Sequence, residues 1–480
     1  MSDADSTSRH RAPLGLLSKL VLFHFVTLLV FTTWAFGGQA PWVRQGIALW
    51  GTVGVGLFVA ACWQRGKSAG ERAWPALRYL WPLWLYDVLV LVSCFNPGFH
   101  EVVVAGERSL VMGDPNPWLP SAALPLLAAK ELWVLNVLVL SGFNLFLVLT
   151  RRSLVRTVLF IMAANAVVLA VFGTFQKLAG AKGLWFGLVP SPNARYFSTF
   201  IYHNHWGAFV VLSTAVCLGL LFHALRRGGQ RDIWHSPVLL GAVVTLLLAA
   251  SVPLSASRSC TVLIGLLLLG ALTHFLLRLV RRRRERRASA LVPVASLILA
   301  ALLAAAAIAW LGRGAIAQRL HQTSTQLAPG AREATFASRL TLYRDTWTMA
   351  AQKPWFGWGL ESYARVFRIY NTQRAAELWV WIPFYAEAHN DWLQSLAETG
   401  FVGTGLLVLL GLLPLLAIPW WRVDSVLPRY LLAGCGILLL YAWVEFPFAN
   451  PAVVLTFCAS FYCALRYAAL DLRAQEEASR

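Results

Sequence analysis

The chain has 480 residues, of which 58% are hydrophobic and only 13% charged, with a mean hydropathy of +0.60. That composition excludes a soluble domain and describes a polytopic membrane protein. The net charge of +19 could point to nucleic acid, but the placement of the basic residues assigns it to membrane topology instead.

Twelve apolar runs follow one another, at about residues 17–36, 46–62, 76–94, 126–150, 155–177, 200–225, 237–254, 259–280, 289–311, 401–419, 428–446 and 451–470. Each approaches the roughly 20 residues that a spanning helix needs. The first is long enough to span, so it reads as a membrane helix and not as a cleaved signal. Arg9 and Arg11 precede the first run and Lys19 lies at its start, and Arg65, Lys67 and Arg72 follow the second. Arg151, Arg152 and Arg156 follow the fourth, and Arg226, Arg227 and Arg231 the sixth. The basic run from Arg281 to Arg287 follows the eighth, and Arg422 and Arg429 the tenth. With twelve spans all of these lie on one side, which the positive-inside rule makes cytoplasmic, beside anionic lipid headgroups. No nucleic-acid partner is expected. The seven cysteines (Cys62, Cys94, Cys217, Cys260, Cys435, Cys458 and Cys463) lie in or beside apolar runs without metal-ligand spacing and read as small buried hydrophobes.

The opposite side receives the functional loops. These are 96–125, 177–200, the turn around Ser255–Ser259, a long insert from Gly312 to about Gly400, and the turn Glu445–Pro451. The expected organisation is thus 1–311 with nine spans, 312–400 as a helical periplasmic loop carrying the site, and 401–480 with three spans and a cytoplasmic tail. An ordered polar insert of this size calls for a function. Ser338–Trp347 reads as an amphipathic helix with Arg339, Tyr343 and Trp347 on one side, stopping at Lys353-Pro354. Trp355–Gly359 then makes a turn.

The stretch Tyr385–Gly400 runs from polar sequence straight into the tenth apolar run. A helix from about Asp391 puts Asn390, Gln394 and Glu398 on one face, with Asn390 or Asp391 as N-cap and His389 at the helix mouth. The helix end's partial positive charge favours the neutral ring that a general base requires, and it attracts anions such as phosphate. The plainer alternative is an interfacial histidine beside a membrane helix. Tyr202-His203-Asn204-His205-Trp206 opens the sixth span, and Arg258 sits in the turn before the eighth. Topology brings His203, Arg258, Arg339, His389 and Glu445 to the same face, and charges at membrane depth are functional by default.

This ordered series resembles the O-antigen ligase family and the related O-antigen and exopolysaccharide polymerases. It comprises the polar Asn-His-Trp near the sixth span, Ser257-Arg258-Ser259, and Ser338-Arg339 with Trp347, Pro354 and Gly357-Trp358-Gly359. It ends with Ala388-His389-Asn390-Asp391-Trp392-Leu393-Gln394 and Glu398-Thr399-Gly400-Phe401-Val402-Gly403. The likeness is strongest over about Phe197–Pro451. Members often carry His-Ser-x-x-Asp-Phe-Pro near the end, whereas this chain has Tyr441 through Glu445-Phe446-Pro447, so a role for that histidine does not carry over.

The resemblance implies an all-α, GT-C-like membrane glycosyltransferase of about twelve spans in the bacterial inner membrane. A glycan on undecaprenyl diphosphate would move to an acceptor hydroxyl, on a glycan or lipid, at the periplasmic face. His389 would be the catalytic base, and a single displacement would invert the anomeric centre. Arg258, Arg339 and, less directly, Arg344 would bind the diphosphate without a metal or other cofactor, and Asn390 or Glu387 would orient the ring or the acceptor. His203 would complete the substrate-binding set. The alternatives are a polymerase of the same family and, from another class, a secondary transporter. A transporter should show paired ionisable or broken helices near the bilayer midplane in two matching halves. The sequence names neither the sugar nor the acceptor. Asp3 and Asp5 form an Asp-x-Asp pair, but in the polar N-terminal tail on the cytoplasmic side.

Overall fold

The computed structural model describes residues 15–67, 77–104, 107–227, 237–311, 336–372 and 384–479. Twelve of its helices fall on the twelve apolar runs. They are α1 (Leu16–Trp34), α2 (Pro41–Lys67), α3 (Trp81–Cys94), α4 (Pro125–Val148), α5 (Arg152–Leu178), α6 (His203–Arg227), α7 (Pro237–Ser255), α8 (Arg258–Glu285), α9 (Leu291–Leu311), α12 (Asp391–Leu416), α13 (Leu427–Tyr441) and α14 (Pro451–Ser479). Two more, α10 (Phe336–Gln352) and α11 (Tyr363–Tyr370), belong to the long insert. Among the described residues nine helices are long and apolar enough to cross a membrane. The apolar helices Trp81–Cys94, Leu291–Leu303 and Leu427–Tyr441 are shorter. The expectation of a wholly helical chain is corrected by one antiparallel hairpin, β1 (Phe99–Val104) with β2 (Glu107–Met112).

Small residues bring the central helices together. A side chain at Gly142 would collide with Cys458, one at Gly207 with Cys260, and one at Gly434 with Ala215. Lipid gives helices no hydrophobic reason to associate, so close backbone approach at such residues and the resulting dispersion contacts must hold the bundle. These approaches pack α14 on α4 and α6 on both α8 and α13, and the connection between α13 and α14 carries part of the site. Among the described residues, basic side chains that follow α4, end α6 and follow α12 meet at one end of the bundle. Arg152 pairs with Asp471 at 2.8 Å, and Arg226 donates to the Asp424 carbonyl beside Arg429. That distribution fits the positive-inside assignment.

The insert is spliced into the bundle through the main chain. Helix α12 breaks at Gly400, whose φ of 65° and ψ of −170° leave the helical region. The amides and carbonyls freed by the break are taken up by the turn after α10. Phe401 N–H donates to Pro354 O at 2.8 Å and Val402 N–H to Trp355 O at 3.1 Å. In return Trp358 N–H donates to Ala397 O at 3.0 Å and Gly359 N–H to Glu398 O at 2.7 Å. Broken helices persist in a membrane protein only where other protein groups satisfy the backbone in this way. The approach leaves no room for a Cβ: at Gly400 it would stand 2.3 Å from the Trp355 carbonyl carbon, and at Gly357 2.3 Å from that of Glu398. Trp358 N–H and carbonyl both serve the junction, since Ala123 N–H donates to its oxygen at 2.9 Å and brings in the loop after the hairpin.

Candidate active site

The site is built at the mouth of α12. Asn390 is the N-cap, its side chain accepting from Leu393 N–H at 3.0 Å, as the spacing predicts. One residue earlier, His389 stands in the left-handed region at φ 52°. Histidine tolerates that region better than most residues, but it must be held there. Both sides are held: Tyr343 Oη donates to the His389 carbonyl at 2.9 Å, and Asp391 N–H donates to Ala442 O at 2.9 Å.

The twist turns the ring toward the α13–α14 connection. His389 Nδ1 lies 3.2 Å from Glu445 Oε2, and the Phe446 ring meets the imidazole edge-on at 4.7 Å. A proton on Nδ1, assigned from this carboxylate, leaves the Nε2 lone pair as the proton acceptor. Glu445 is 2% exposed, and its other oxygen accepts from Arg339 Nη2 at 2.8 Å. Burial alone would raise the Glu445 carboxyl, but His389 and Arg339 together hold it below the ordinary carboxylate value. It is therefore an anion through the neutral range. Arg339 is not used up: its second contact is the Val444 carbonyl at 3.4 Å, and 42% of its side chain is exposed. A guanidinium has five N–H donors, so a face remains to grip an external anion.

Helix α10 thus reaches the site twice, with Arg339 on the carboxylate and Tyr343, one turn on, on the His389 carbonyl. The amphipathic reading of α10 is borne out for these two, whereas Trp347 is half exposed. Arg344 lies five residues past Arg339, roughly 140° round the helix. Its guanidinium meets Asp345 at 3.6 Å and Thr372 at 3.4 Å, so the structure does not bring it to His389. Glu387 is also turned elsewhere: its carboxylate accepts from Gln394 at 2.7 Å and lines a neighbouring cavity. Asn390 is engaged in capping. His203 is buried, with Nδ1 3.2 Å from the Arg195 carbonyl. Its neighbours reach the site: Tyr202 stacks on Phe446 at 5.3 Å and His205 Nε2 meets the Phe446 carbonyl at 3.1 Å. Arg258, the first residue of α8, is exposed at this end, where Ser257 Oγ donates to Asn204 at 2.7 Å and ties its turn to the start of α6.

Sequence reasoning placed Glu445 on this face without giving it a role, and it quoted Tyr202 and Phe446 within motifs without singling either out. Their only signal was position, since all three sit in outer turns beside motifs already singled out.

Taken together, these features define a polytopic membrane protein with a histidine–carboxylate–arginine array at one end of its bundle, suited to taking a proton beside a bound anion. Residues 242–408 match the family model described as O-antigen ligase, so this stretch of the chain is similar to that family. The match spans Arg258, Arg339 and His389 and stops short of Glu445. No curated protein matches the chain.

Proposed function

We propose that the chain transfers a glycan from undecaprenyl diphosphate to an acceptor hydroxyl at the periplasmic face of the inner membrane. The observation that carries this reading is the unbroken line Arg339–Glu445–His389, with a cation that has donors to spare at one end and an oriented imidazole at the other.

In the transfer, the acceptor O–H gives its proton to His389 Nε2 as its oxygen forms a bond to the anomeric carbon. The bond from that carbon to the diphosphate oxygen breaks, and the diphosphate leaves with the electron pair. Negative charge grows on the leaving group, where the free N–H groups of Arg339 stabilise it, with Arg258 entering from the same end of the bundle. Positive charge grows on the imidazole, and Glu445 stabilises it through Nδ1–H. One displacement on one face inverts the anomeric configuration. Ligases and polymerases of the family share this chemistry and differ in the acceptor.

The test is His389→Ala, assayed for transfer of a labelled glycan from its lipid carrier in membranes. Loss of a general base costs about 10² to 10⁴ in rate. Donor binding should survive, and His203→Ala and His205→Ala should lose far less. A His389→Ala protein that inserts and keeps more than about a tenth of wild-type transfer removes the base assignment.

A further inference from the structure

The basic end of the bundle holds a second cluster, far from His389. Helix α6 starts at His203, beside the candidate site, and ends with Arg226 and Arg227, roughly 35 Å away along its axis. There Phe222 of α6 stacks on His274 of α8 at 4.6 Å and on Tyr430 of α13 at 4.9 Å. His274 Nδ1 lies 3.0 Å from Tyr430 Oη, so the rings lock the three helices together. Next to each ring stands an arginine. Arg226 is one turn past Phe222, Arg278 one turn past His274, and Arg429 just before Tyr430, with Arg282 a further turn along α8. The charges of Arg226, Arg278 and Arg429 all act on His274, and Arg226 and Arg282 repel Arg278.

Four cations in one place need an anion, yet among the described residues none of the four makes an ion pair. Arg226 donates to the Asp424 carbonyl and Arg429 Nη2 to the Val423 carbonyl at 2.8 Å. The Asp424 carboxylate is taken by Gln475 at 2.9 Å, and Glu285, one turn past Arg282, pairs with none of them. Nη1 of Arg278 is buried without a hydrogen-bond partner. This guanidinium stands one turn, about 6 Å, further into the bundle than Arg282. Snorkelling into water accounts for the exposed Arg281 and Arg284 of the same helix, but not for a guanidinium with a buried arm. Beside the cluster, Leu268 and Phe275 of α8 and Ile437 of α13 are only half buried and flank a cleft over α6. A basic pocket between membrane helices is the form of site that takes an acidic lipid head.

We propose that Arg226, Arg278, Arg282 and Arg429 hold the phosphate of one anionic phospholipid, its head bridging α6, α8 and α13 and its chains lying in the cleft between α8 and α13. Arginine forks take two phosphate oxygens at once, and the bound phosphate relieves the repulsion among the four cations. A soluble phosphate offers the same oxygens, but the half-covered apolar cleft favours a ligand that carries acyl chains. The site is independent of the transferase reading, which concerns the other end of the bundle.

The experiment is native mass spectrometry of the full chain in detergent, with phosphatidylglycerol and phosphatidylcholine of identical acyl chains as probes. One phosphatidylglycerol should be retained at least tenfold more tightly than phosphatidylcholine. Arg278→Gln should weaken that retention at least tenfold. The double variant Arg226→Gln with Arg429→Gln, which leaves the half-buried position intact and so tests the site even where Arg278→Gln does not fold, should do the same. Arg284→Gln removes the same charge from another face of α8 and should cost less than twofold. Equal retention of the two lipids by the wild type, or retention unchanged in the substituted cluster, overturns the site. An equal loss in Arg284→Gln also overturns it, by showing that surface charge alone attracts the lipid. Inorganic phosphate in about a hundredfold excess should leave the lipid in place, and displacement by it would give the site to a soluble phosphate and overturn the lipid.

Discussion

The substitution that interrogates the site most directly is Glu445→Gln. It keeps volume and one carbonyl oxygen, so Arg339 retains an acceptor at the position now 2.8 Å away. The other arm becomes an NH₂ group opposite His389 Nδ1, now 3.2 Å from a carboxylate oxygen. An amide donor there forces the tautomer to reverse: Nδ1 must accept, and the proton moves to Nε2, the atom required to receive one. The stabilisation of the imidazolium formed in the transition state is lost as well, and a hydrogen bond to a charged group is worth about 1.5–3 kcal/mol. That term alone is roughly a tenfold to hundredfold loss. Tautomer reversal behind a catalytic histidine raises the total to about 10² to 10⁴. The assay is glycan transfer in membranes with the variant matched to wild type for inserted protein and for donor binding, which should change little because Arg339 keeps its free face. Glu445→Asp retains the charge but is one methylene too short to reach both partners, and should fall between the two. A Glu445→Gln enzyme within tenfold of wild type would refute the reasoning, since no correctly oriented base could then depend on this carboxylate.

Reporter fusions after Arg287 should read cytoplasmic, and fusions near Gly330, which lies outside the described residues, should read periplasmic; a periplasmic signal at Arg287 would place the basic loops and the site on the same side. Transfer should persist in EDTA, because the diphosphate charge is assigned to arginines, and loss restored by Mg²⁺ or Mn²⁺ would transfer that role to a metal. Glu387 makes stability depend on pH. Its folded value of about 7 exceeds the ordinary 4.5, so its contribution is complete below 4.5 and is lost as pH rises through 7. The loss is on the order of 3 kcal/mol. Glu387→Gln should therefore lessen the fall in melting temperature between pH 5 and 8 in detergent, and an unchanged slope would show that this carboxyl does not contribute.

The parts of this structure that were legible in the sequence are those fixed by neighbours along the chain. Twelve apolar stretches became twelve helices, nine of them, among the described residues, long and apolar enough to cross a membrane, because lipid demands internally bonded segments. Asn390 announced a helix start because its side chain satisfies an amide three residues on. Arg339 and Tyr343 share a face because four residues make about one turn, and the same arithmetic excludes Arg344. What escaped depends on distant residues meeting. Arg44 and Glu131 each look like a lone charge at a helix end, and only the packing of α2 on α4 makes them a pair. Glu387 reads as a site residue from its place two before His389, yet the left-handed turn at His389 separates the two side chains. The hairpin Phe99–Met112 was hidden because its strands are short and its polar residues do not alternate cleanly. The break at Gly400 could not be read from α12 alone, since the turn that stabilises it begins some forty residues earlier.

That junction has a consequence for how the site is built. A contact between side chains can slacken or change partners, but four main-chain hydrogen bonds across three glycines with no space for a methyl group admit no play. Arg339 hangs from one side of the seam and His389 from the other, so the distance between the proposed anion grip and the proposed base is set by the polypeptide backbone. Under the roles proposed above, substrates of different size are accommodated by the surrounding loops, because the backbone fixes the spacing of the two groups.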